Sequence, residues 1–272
     1  MELFFTKLQG NGNDFALIDE YNGTVIPDDM KPEFARQFCE RRFGIGADGI
    51  LFLSKSSVAD VKMRIFQPDA SEAEMCGNGI RCFARYAFEQ DYVGLNCTVE
   101  TLAGVVAVSL SSKEEEFQAT ITMPTPKFDR KDIPATGTGD YRETIGGFAV
   151  HAANTGVPHA VIIVPDVNAV NVPAVSPEIR NHKTFPNGAN VNFVQVTGKD
   201  AIRVRTFERG VEGETLSCGT GATASAAVAR KLGLVGDIVE VETTGGPLTI
   251  SLGKETKMTG PADTVFTGTI SF

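Results

Sequence analysis

The stretch Met75-Cys76-Gly77-Asn78-Gly79 recurs 142 residues later as Ser217-Cys218-Gly219-Thr220-Gly221. The segment from Val99 to Leu110 is repeated at the same offset from Val241 to Leu252. Three shorter matches keep the same order at nearly the same offset: Gly12–Ile18 with Gly156–Ile162, Met63–Phe66 with Val204–Phe207, and Thr122–Pro124 with Thr259–Pro261. A period this long indicates two duplicated domains rather than a solenoid of small repeats.

Each half predicts the same order of elements around its cysteine. Two strands rich in β-branched residues precede the Cys-Gly-x-Gly turn, a helix follows it, and two further strands come next. The predicted strands are Phe15–Asp19, Val61–Phe66, Thr98–Thr101 and Val105–Leu110, then Ala160–Val164, Ile202–Phe207, Val239–Thr243 and Leu248–Leu252. We place the first domain at 1–123 with a C-terminal strand at 263–272, and the second at 124–262.

The helices that follow the two cysteines are predicted to be central. The apolar face of the first is formed by Ile80, Phe83, Ala84 and Ala87. The second, Ala222–Ala229, is small and apolar nearly all round, which is typical of a helix buried on every side, and Gly233 is placed to end it. A separate surface helix is predicted from Lys31 to about Arg41, with these residues inward: Phe34, Ala35, Phe38 and Cys39.

Composition narrows the class of protein. The 272 residues are 42% hydrophobic and 22% charged, as in an ordinary globular chain, with no apolar run long enough to span a membrane and no secretory signal at the start. A net charge of −9 disfavours nucleic-acid binding. Five cysteines without paired spacing favour reduced thiols and a cytoplasmic location. The three histidines lack metal-ligand spacing, so no metal site is expected.

The two glycine-rich turns can carry acid–base chemistry. A helix N-terminus leaves unpaired N–H groups and a partial positive charge, which bind a carboxylate and favour a thiolate. If the two halves face each other across a cleft, Cys76 and Cys218 can flank one α-carbon. One thiolate then removes the α-proton from one face, and the other thiol protonates the opposite face. The remaining cysteines, Cys39, Cys82 and Cys97, are interpreted as small buried hydrophobic residues, the usual role of a free cysteine.

With these motifs the chain resembles the diaminopimelate epimerase family over nearly all of its length. The resemblance rests on Gly10–Phe15, Gly44–Gly49, Ser71–Gly79, Pro158-His159, Asn190–Phe193, and Glu208-Arg209-Gly210 leading to Cys218–Gly221. Proline racemases are similar in fold and thiol logic, but a histidine usually stands where Asn78 stands here. The resemblance implies an α+β fold of two pseudo-symmetric domains, each a mixed or antiparallel β-sheet wrapped around a central helix, with the active site in the cleft between them.

The resemblance also implies an activity and a set of site residues. It implies interconversion of LL- and meso-diaminopimelate on the lysine and cell-wall pathway, without a cofactor, in a chain that forms a homodimer. Cys76 and Cys218 would be the two bases, and His159 and Glu208 would tune their pKa values. The substrate would be held by Asn11, Gln67, Gly77, Asn78, Asn190, Glu208, Arg209, Gly219 and Thr220.

Each of these side chains also has a structural alternative. Arg209 and Glu208 could form surface ion pairs, although the planar fork of Arg209 suits a carboxylate. Asn11 and Asn190 could serve turns, and His159 could be satisfied within a strand.

Two departures from the family pattern bear on the substrate's distal end. Gln67 stands where an asparagine is usual and reaches one methylene further. Val157 replaces another asparagine, whose amide Asn154 is expected to supply. In addition, the segment from Glu208 to Cys218 is one residue longer than in the commonest bacterial form.

Other functions stay open at this stage. A racemase or epimerase of another amino acid could use the same scaffold, with Gln67 and Val157 deciding the substrate. A thiol redox or metal-sensing protein could use the two cysteines, which could form a disulfide if oxidised. An inactive amino-acid-binding protein is a further alternative, but the retention of both cysteines argues against it. A pyridoxal phosphate enzyme is disfavoured because no lysine occupies a comparable glycine-rich setting.

Overall fold

The computed structural model describes residues 2–113 and 116–272 of the chain. In chain order the first half contains β1 (Glu2–Gly10), β2 (Asn13–Asp19), α1 (Lys31–Phe38), β3 (Gly49–Ser54), β4 (Val61–Phe66), β5 (Glu72–Ala73), α2 (Gly77–Glu89), β6 (Asn96–Thr101), β7 (Gly104–Lys113) and β8 (Glu116–Met123). The second half contains β9 (Arg142–Ile145), β10 (Phe148–Asn154), β11 (Pro158–Ile163), a 3₁₀ turn (Val167–Ala169), α3 (Val172–Arg180), β12 (Asn190–Gly198), β13 (Ala201–Glu208), β14 (Gly213–Thr215), α4 (Gly219–Lys231), β15 (Ile238–Thr243), β16 (Gly246–Leu252), β17 (Thr256–Pro261) and β18 (Asp263–Ser271).

The chain divides into two compact units. One consists of Met1–Ile121 with Gly260–Phe272, and the other of Thr122–Thr259. The sequence-based division at 123 and 262, as the boundary between two separately folding domains, stays a prediction.

In the first unit a mixed sheet curves around α2. Its strands pair in the order β18, β1, β2, β3, β4, β6, β7 and β8, with parallel pairs at β2–β3 and β4–β6 and antiparallel pairs elsewhere. Helix α2 contacts the strands from β18 to β7 in this order, which explains why its residues Ile80, Phe83, Ala84 and Ala87 are wholly buried. The outer face of the sheet is covered by α1, whose Phe34 and Phe38 belong to a second apolar cluster.

The second unit repeats this arrangement with its own strands. The order is β9, β10, β11, β12, β13, β15, β16 and β17, and the parallel pairs are β11–β12 and β13–β15. Helix α4 lies inside, and Gly221–Ala229 is buried throughout, as the apolar composition predicted. Helix α3 covers the outer face with Val172 and Ile179. The predicted α+β fold of two similar sheet-around-helix halves is therefore confirmed.

The central helices end in the same way. After α4, Gly233 has φ +74°, and the N–H groups of Gly233 and Leu234 donate to the carbonyls of Arg230 and Ala229. These two hydrogen bonds form a Schellman motif, so Gly233 terminates the helix as predicted. After α2, Asp91 has φ +58°, with Asp91 and Tyr92 bonded back to Phe88 and Ala87. The two motifs are 142 residues apart, like the cysteines.

The surface helix α1 is shorter than the sequence predicts. Its inward residues Phe34, Ala35, Phe38 and Cys39 are buried as expected, but the helix ends at Phe38 rather than near Arg41. The carbonyl of Phe38 accepts the N–H groups of Ile45 and Gly46 instead of continuing the helix. Since Gly46 has φ +75°, the chain can turn sharply there and return towards β3.

Several elements were not anticipated from the sequence. They include the strands β1, β3, β8, β9, β10, β12 and β17 and the helix α3. Helix α3 carries Pro177 in its interior, which weakens any helical pattern. Within the described ranges, no helix combines the length and the apolar character that a membrane crossing requires.

Candidate active site

Cys76 is the residue that caps α2, and Cys218 caps α4. Both have extended backbone, with φ/ψ of −137°/121° and −123°/108°. In this conformation the side chain stays beside the first helical turn. The Cys76 sulfur accepts the Gly79 N–H at 3.5 Å, whereas the Cys218 side chain makes no capping hydrogen bond, although the nearby Gly221 N–H favours its thiolate form. Each sulfur therefore lies at the positive end of a helix dipole.

Space beside the second glycine of each turn is limited, and more severely at Gly221 than at Gly79. A Cβ atom on Gly221 would lie 2.4 Å from Asn192 Oδ1 and 3.3 Å from Thr206 Oγ1. A Cβ atom on Gly79 would lie 3.3 Å from the ring of Phe15. Neither glycine has a positive φ, so a missing side chain, rather than an unusual backbone angle, lets each helix start so close to the strands beside it.

The environment of Cys76 is polar and tied to an ion-pair network. Its sulfur lies 3.5 Å from Asn13 Oδ1, which also accepts from Asn78 Nδ2 at 3.3 Å. The Asn13 amide in turn donates to Asp48 at 2.7 Å, and Arg41 bridges Asp48 and Asp14. Because Asp48 holds the Nδ2 end of Asn13, its Oδ1 end faces the thiol as an acceptor.

Asn11 and Gly77 are brought together by a buried arginine. Arg81, on α2, donates from Nη2 to Asn11 Oδ1 at 2.6 Å and from Nη1 to the Gly77 carbonyl at 3.1 Å. Asn11 is only 2% exposed and has φ +53°, a left-handed conformation that asparagine tolerates. Asn11 thus serves a turn, and its amide is also oriented towards the N-terminus of α2.

Gln67 lies in an exposed turn directly after β4. Its side-chain oxygen accepts from the Ser71 hydroxyl at 3.0 Å, and its N–H donates to the Ser71 carbonyl. The matching position in the second half is Glu208, at the end of β13. Both residues therefore follow the strand that leads towards the cysteine turn of their own half.

Cys218 is more deeply buried than Cys76. Its residue is 8% exposed, whereas Cys76 is half-buried. Burial, and next the negative charge of Glu208, raise the pKa of the Cys218 thiol well above its usual value, although Thr220 and the Gly221 N–H act in the opposite direction. The shift favours the protonated thiol.

His159 lies beneath the Cys218 turn. Its Nε2 is 3.0 Å from Thr220 Oγ1, and its Nδ1 is 3.1 Å from Asn192 Nδ2. Burial, and next the positive charge of Arg209, lower the pKa of His159 to about 3. The ring is therefore neutral at physiological pH, and Thr220 lies between it and the Cys218 sulfur, 3.5 Å from that sulfur.

Asn190, Glu208 and Arg209 lie together at the ends of β12 and β13. Asn190 Oδ1 accepts the Arg209 N–H at 2.9 Å, and Asn190 Nδ2 donates to the Pro158 carbonyl at 3.1 Å. Arg209 is half-buried, and its Nη1 donates to the backbone carbonyls of Asn187 and Gly188 at 3.1 and 3.4 Å. These two bonds hold the guanidinium in place beside Asn190.

The structure places the Asn154 amide in backbone hydrogen bonds, and its replacement of the amide missing at Val157 stays a prediction. Asn154 Nδ2 donates to the Asp132 carbonyl at 2.6 Å, and its Oδ1 accepts the Gly156 N–H at 2.9 Å. Both ends of the amide therefore bind backbone groups of the loop around β10. Val157 leaves this position of the second unit apolar.

The other three cysteines are structural, as interpreted from the sequence. Cys39, Cys82 and Cys97 are all buried, and Cys82 is inside α2. Burial raises the pKa of Cys39 and of Cys82 to about 12 and that of Cys97 to about 11. These thiols stay protonated at neutral pH and are poor nucleophiles and bases.

Sequence reasoning missed three polar residues next to the cysteines: Asn13, Asn192 and Thr206. Asn13 and Thr206 lie in segments of the internal repeat, and Asn192 lies in the Asn190–Phe193 motif. Strand alternation places Asn192 on the same face of β12 as Asn190. That period of two could have identified Asn192. Within 2–113 and 116–272, no group of three or more His, Cys, Asp or Glu residues could hold a metal ion.

Comparison with known sequences identifies the family. The sequence model described as diaminopimelate epimerase matches residues 5–128 and 151–265. The chain is 56% identical to a protein named diaminopimelate epimerase from Methanothrix thermoacetophila, over 99% of this chain and 96% of that one. It is 53% identical to the one from Methanocella arvoryzae, over 98% of this chain and 96% of that one.

The chain belongs to the diaminopimelate epimerase family. Solved structures extend the comparison at the level of the fold. A Bacillus anthracis protein of the PhzF phenazine biosynthesis family has a TM-score of 0.74 at 18% identity, with 100% of both chains covered. A hydroxyproline epimerase from Agrobacterium vitis has a TM-score of 0.68 at 19% identity, covering 99% of this chain and 92% of that one. The fold of the diaminopimelate epimerase family is thus shared with proteins of other named activities.

Proposed function

We propose that the protein is an amino-acid isomerase that interconverts LL- and meso-2,6-diaminopimelate, in lysine and cell-wall precursor biosynthesis, with two cysteines and no cofactor. The observation that carries the proposal is that α2 and α4 each begin at a cysteine of a Cys-Gly-x-Gly turn. Membership of the diaminopimelate epimerase family supports the substrate.

The proposed reaction inverts one α-carbon by two proton transfers. One cysteine, as thiolate, takes the α-proton from one face, and the electron pair of the C–H bond passes into the adjacent carboxylate. The other cysteine, as thiol, gives its proton to the opposite face and becomes the thiolate. Helix N-termini that hold the carboxylate stabilise the charge that develops on it. Protons and charges balance, and the two thiols exchange roles after each turnover.

The remaining predicted residues are proposed to bind the substrate. Gly77 and Asn78 on α2, and Gly219 and Thr220 on α4, would contact the reacting end through the first helical turns. Arg209 would bind a carboxylate, since its planar fork fits two oxygens. Asn11, Asn190, Glu208 and Gln67 would bind the amino and carboxylate groups of the amino acid.

The same proposal sets expectations for location and partners. A mechanism that needs two reduced thiols fits a reducing compartment, so we infer a cytoplasmic location. We also infer a homodimer, as the family resemblance implies. The exposed apolar side chains of Phe4 on β1 and Val265 on β18 support a contact between two copies there.

Incubation with LL- or meso-diaminopimelate in deuterated water tests the function. We expect deuterium at the α-carbon of the inverted product, under reducing conditions and without added cofactor. Changing Cys76→Ala or Cys218→Ala should lower inversion by at least about 10³-fold, because either change removes one of the two proton-transfer groups. Cys97→Ala is the matched control and should keep activity, since its thiol is buried in β6 and stays protonated.

Absence of both exchange and inversion would refute the proposal. The same assay with proline, hydroxyproline, lysine and ornithine separates it from a racemase of another amino acid on this fold. That alternative is favoured if one of these is inverted faster than diaminopimelate. Full activity in either catalytic variant would leave the family assignment intact but remove the two-base mechanism.

A further inference from the structure

A chain of polar side chains leads from the interior of the second unit to the sulfur of Cys218. Its members are Thr206 on β13, Asn192 on β12, His159 on β11 and Thr220 on α4. Thr206 is 4% exposed, and Asn192 and His159 are 0% exposed. Because buried polar groups need partners of the opposite type, the direction of each hydrogen bond can be derived.

The amide of Asn192 has one permitted orientation. Its Nδ2 lies 3.0 Å from the Ala160 carbonyl, which can only accept a hydrogen bond. The nitrogen end of the amide therefore belongs there, and the oxygen end accepts from the Thr206 hydroxyl at 3.0 Å. A rotated amide would place two oxygens in contact, so Ala160 fixes Asn192.

The orientation of Asn192 fixes the tautomer of His159. The second hydrogen on Asn192 Nδ2 points at His159 Nδ1 over 3.1 Å, so Nδ1 must be the unprotonated nitrogen. The neutral ring then carries its hydrogen on Nε2 and donates to Thr220 Oγ1 at 3.0 Å. The hydrogen bond made by one ring nitrogen of a histidine commonly decides whether the other nitrogen carries the proton.

Because Thr220 accepts a hydrogen bond from His159, its own hydroxyl can donate to Cys218. Its hydroxyl oxygen accepts from His159, and its single proton remains available to an acceptor. The Cys218 sulfur lies 3.5 Å from Thr220 Oγ1. A hydroxyl that donates to sulfur stabilises the thiolate more than the thiol, because the bond to a charged acceptor is stronger.

We propose that Asn192 is a positioning residue that, through His159, orients the Thr220 hydroxyl as a donor to Cys218 and so supports the thiolate form of that cysteine. The inference deepens the proposed two-cysteine mechanism and rests on it for its catalytic meaning. Other charged groups face the same site: the carboxylate of Glu208, on β13, opposes the thiolate, and Arg209 acts on His159. The hydrogen-bonded series Asn192–His159–Thr220, here called the relay, supplies a donor to the Cys218 sulfur when that cysteine loses its proton beside Glu208.

The tautomer of His159 tests the first step in the unmodified protein. Nitrogen-15 NMR of histidine-labelled protein distinguishes Nε2–H from Nδ1–H rings, and the chain has only three histidines to assign. We expect the buried ring of His159 to stay neutral with Nε2 protonated at pH 7. In Asn192→Asp the new carboxylate accepts a hydrogen bond and should move the proton to Nδ1. An Nδ1–H ring in the unmodified protein overturns the inference.

The rate at which Cys218 is alkylated tests the second step. In a Cys76→Ala background, iodoacetamide modification of Cys218 is followed by peptide mass spectrometry between pH 6 and 9, where the rate follows the thiolate fraction. Thr220→Val keeps the side-chain shape but removes the donor, and we expect a rate about tenfold lower, equivalent to one pKa unit. Thr220→Ser restores a hydroxyl and should recover the parent rate.

Ser225→Ala is the matched control, because Ser225 is another buried hydroxyl on α4. Its alkylation rate should equal that of the parent. Equal rates of Cys218 alkylation in the parent and in Thr220→Val would overturn the proposal.

A double-mutant cycle separates the relay from the added charge of Asn192→Asp. In the Thr220→Val background the substitution can act only through its charge, and the extra slowing seen when Thr220 is present measures the relay. Identical slowing in both backgrounds would show that Asn192 does not act through Thr220. None of these readouts requires turnover, so they can succeed or fail independently of the diaminopimelate assay.

Discussion

The two cysteine turns have the same backbone but different neighbours. Phe15 matches His159 at an offset of 144, and Gln67 matches Glu208 at an offset of 141, so at these two positions a histidine and a carboxylate stand only on the Cys218 side. On the Cys76 side the sulfur instead faces the acceptor oxygen of Asn13 at 3.5 Å. The duplication therefore supplied two thiols, and side-chain divergence gave them different hydrogen-bond partners.

His159 makes stability depend on pH. Its pKa is about 3 in the folded protein against an ordinary value of 6.5, so the unfolded chain binds a proton first as the pH falls. A lowered histidine pKa thus removes stability progressively between pH 6.5 and 3, by roughly 2–3 kcal/mol at pH 4.5 relative to pH 7. His159→Gln should lose this part of the acid sensitivity.

Urea unfolding of both proteins at pH 7 and 4.5 measures the effect. The variant is expected to be less stable at pH 7, because it lacks the bonds to Asn192 and Thr220, yet to lose less stability on acidification. Carboxylates such as Asp14 titrate in both proteins and cancel in the comparison. Parallel losses in the two proteins would mean that His159 is not the responsible group.

At the scale of elements, the duplication preserves how each central helix begins and ends. Both helices have 13 residues, start after a cysteine and close with a Schellman motif. A bidentate ion pair also recurs: Arg64 donates two hydrogen bonds to Glu72, and Arg205 donates two to Glu214. The first pair joins β4 to β5 and the second joins β13 to β14, the short strand before each cysteine turn. Each ion pair therefore helps to fix where the central helix starts.

The two Schellman motifs differ in the residue that adopts the left-handed conformation. Asp91 has φ +58° and Gly233 has φ +74°. A residue with a Cβ costs about 1 kcal/mol there, and a negative charge at a helix C-terminus is also unfavourable. Asp91→Gly should therefore stabilise the protein by about 0.5–1 kcal/mol, and Gly233→Ala should destabilise it by about 1 kcal/mol. Chemical denaturation gives both values.

Asp91→Ala separates the two causes, because it removes the charge but keeps the Cβ. If the backbone conformation dominates, Asp91→Ala should gain much less stability than Asp91→Gly. Equal gains from both substitutions would assign the effect to charge instead.

At the scale of the whole molecule, the last strand belongs with the first. Strand β18 pairs with β1 along its length, from Glu2 opposite Ser271 to Gln9 opposite Asp263. The ring of Phe266 packs edge-on against Phe5, with centroids 5.9 Å apart. The first unit is thus completed by a strand that follows the whole second unit in the sequence.

Removal of 263–272 should destabilise the first unit. It strips β1 of one hydrogen-bonded neighbour and uncovers Phe5, which is 5% exposed in the intact protein. We expect a loss of about 3 kcal/mol or more, because at least one large apolar side chain and a complete strand pairing are lost. Thermal unfolding measures it, and an unchanged melting temperature would show that the pairing contributes little.

Much of the fold and of the candidate site could be predicted from particular residues. The repeat at 142 residues located the two central helices, and the apolar run Ala222–Ala229 identified a helix enclosed on all sides. Strands such as β12, with Val191 and Phe193 buried alongside Asn190 and Asn192, were missed because buried polar residues broke the apolar pattern. Helix α1 ends before the predicted Arg41, because the return of the chain from Phe38 to Gly46 depends on backbone bonds that composition does not reveal.

The sequence by itself determined the duplication, the placement of a thiol at the start of each central helix, and membership of the family. These follow from local rules: glycines permit tight turns, apolar periodicity selects the buried face, and a repeat implies equivalent structures. Only the tertiary structure decided which side chains surround each sulfur. Asn13 beside Cys76, and His159 and Asn192 beneath the Cys218 turn, are brought there by strands far from the cysteines in the chain, and hydrogen-bond direction and burial depend on those non-local contacts.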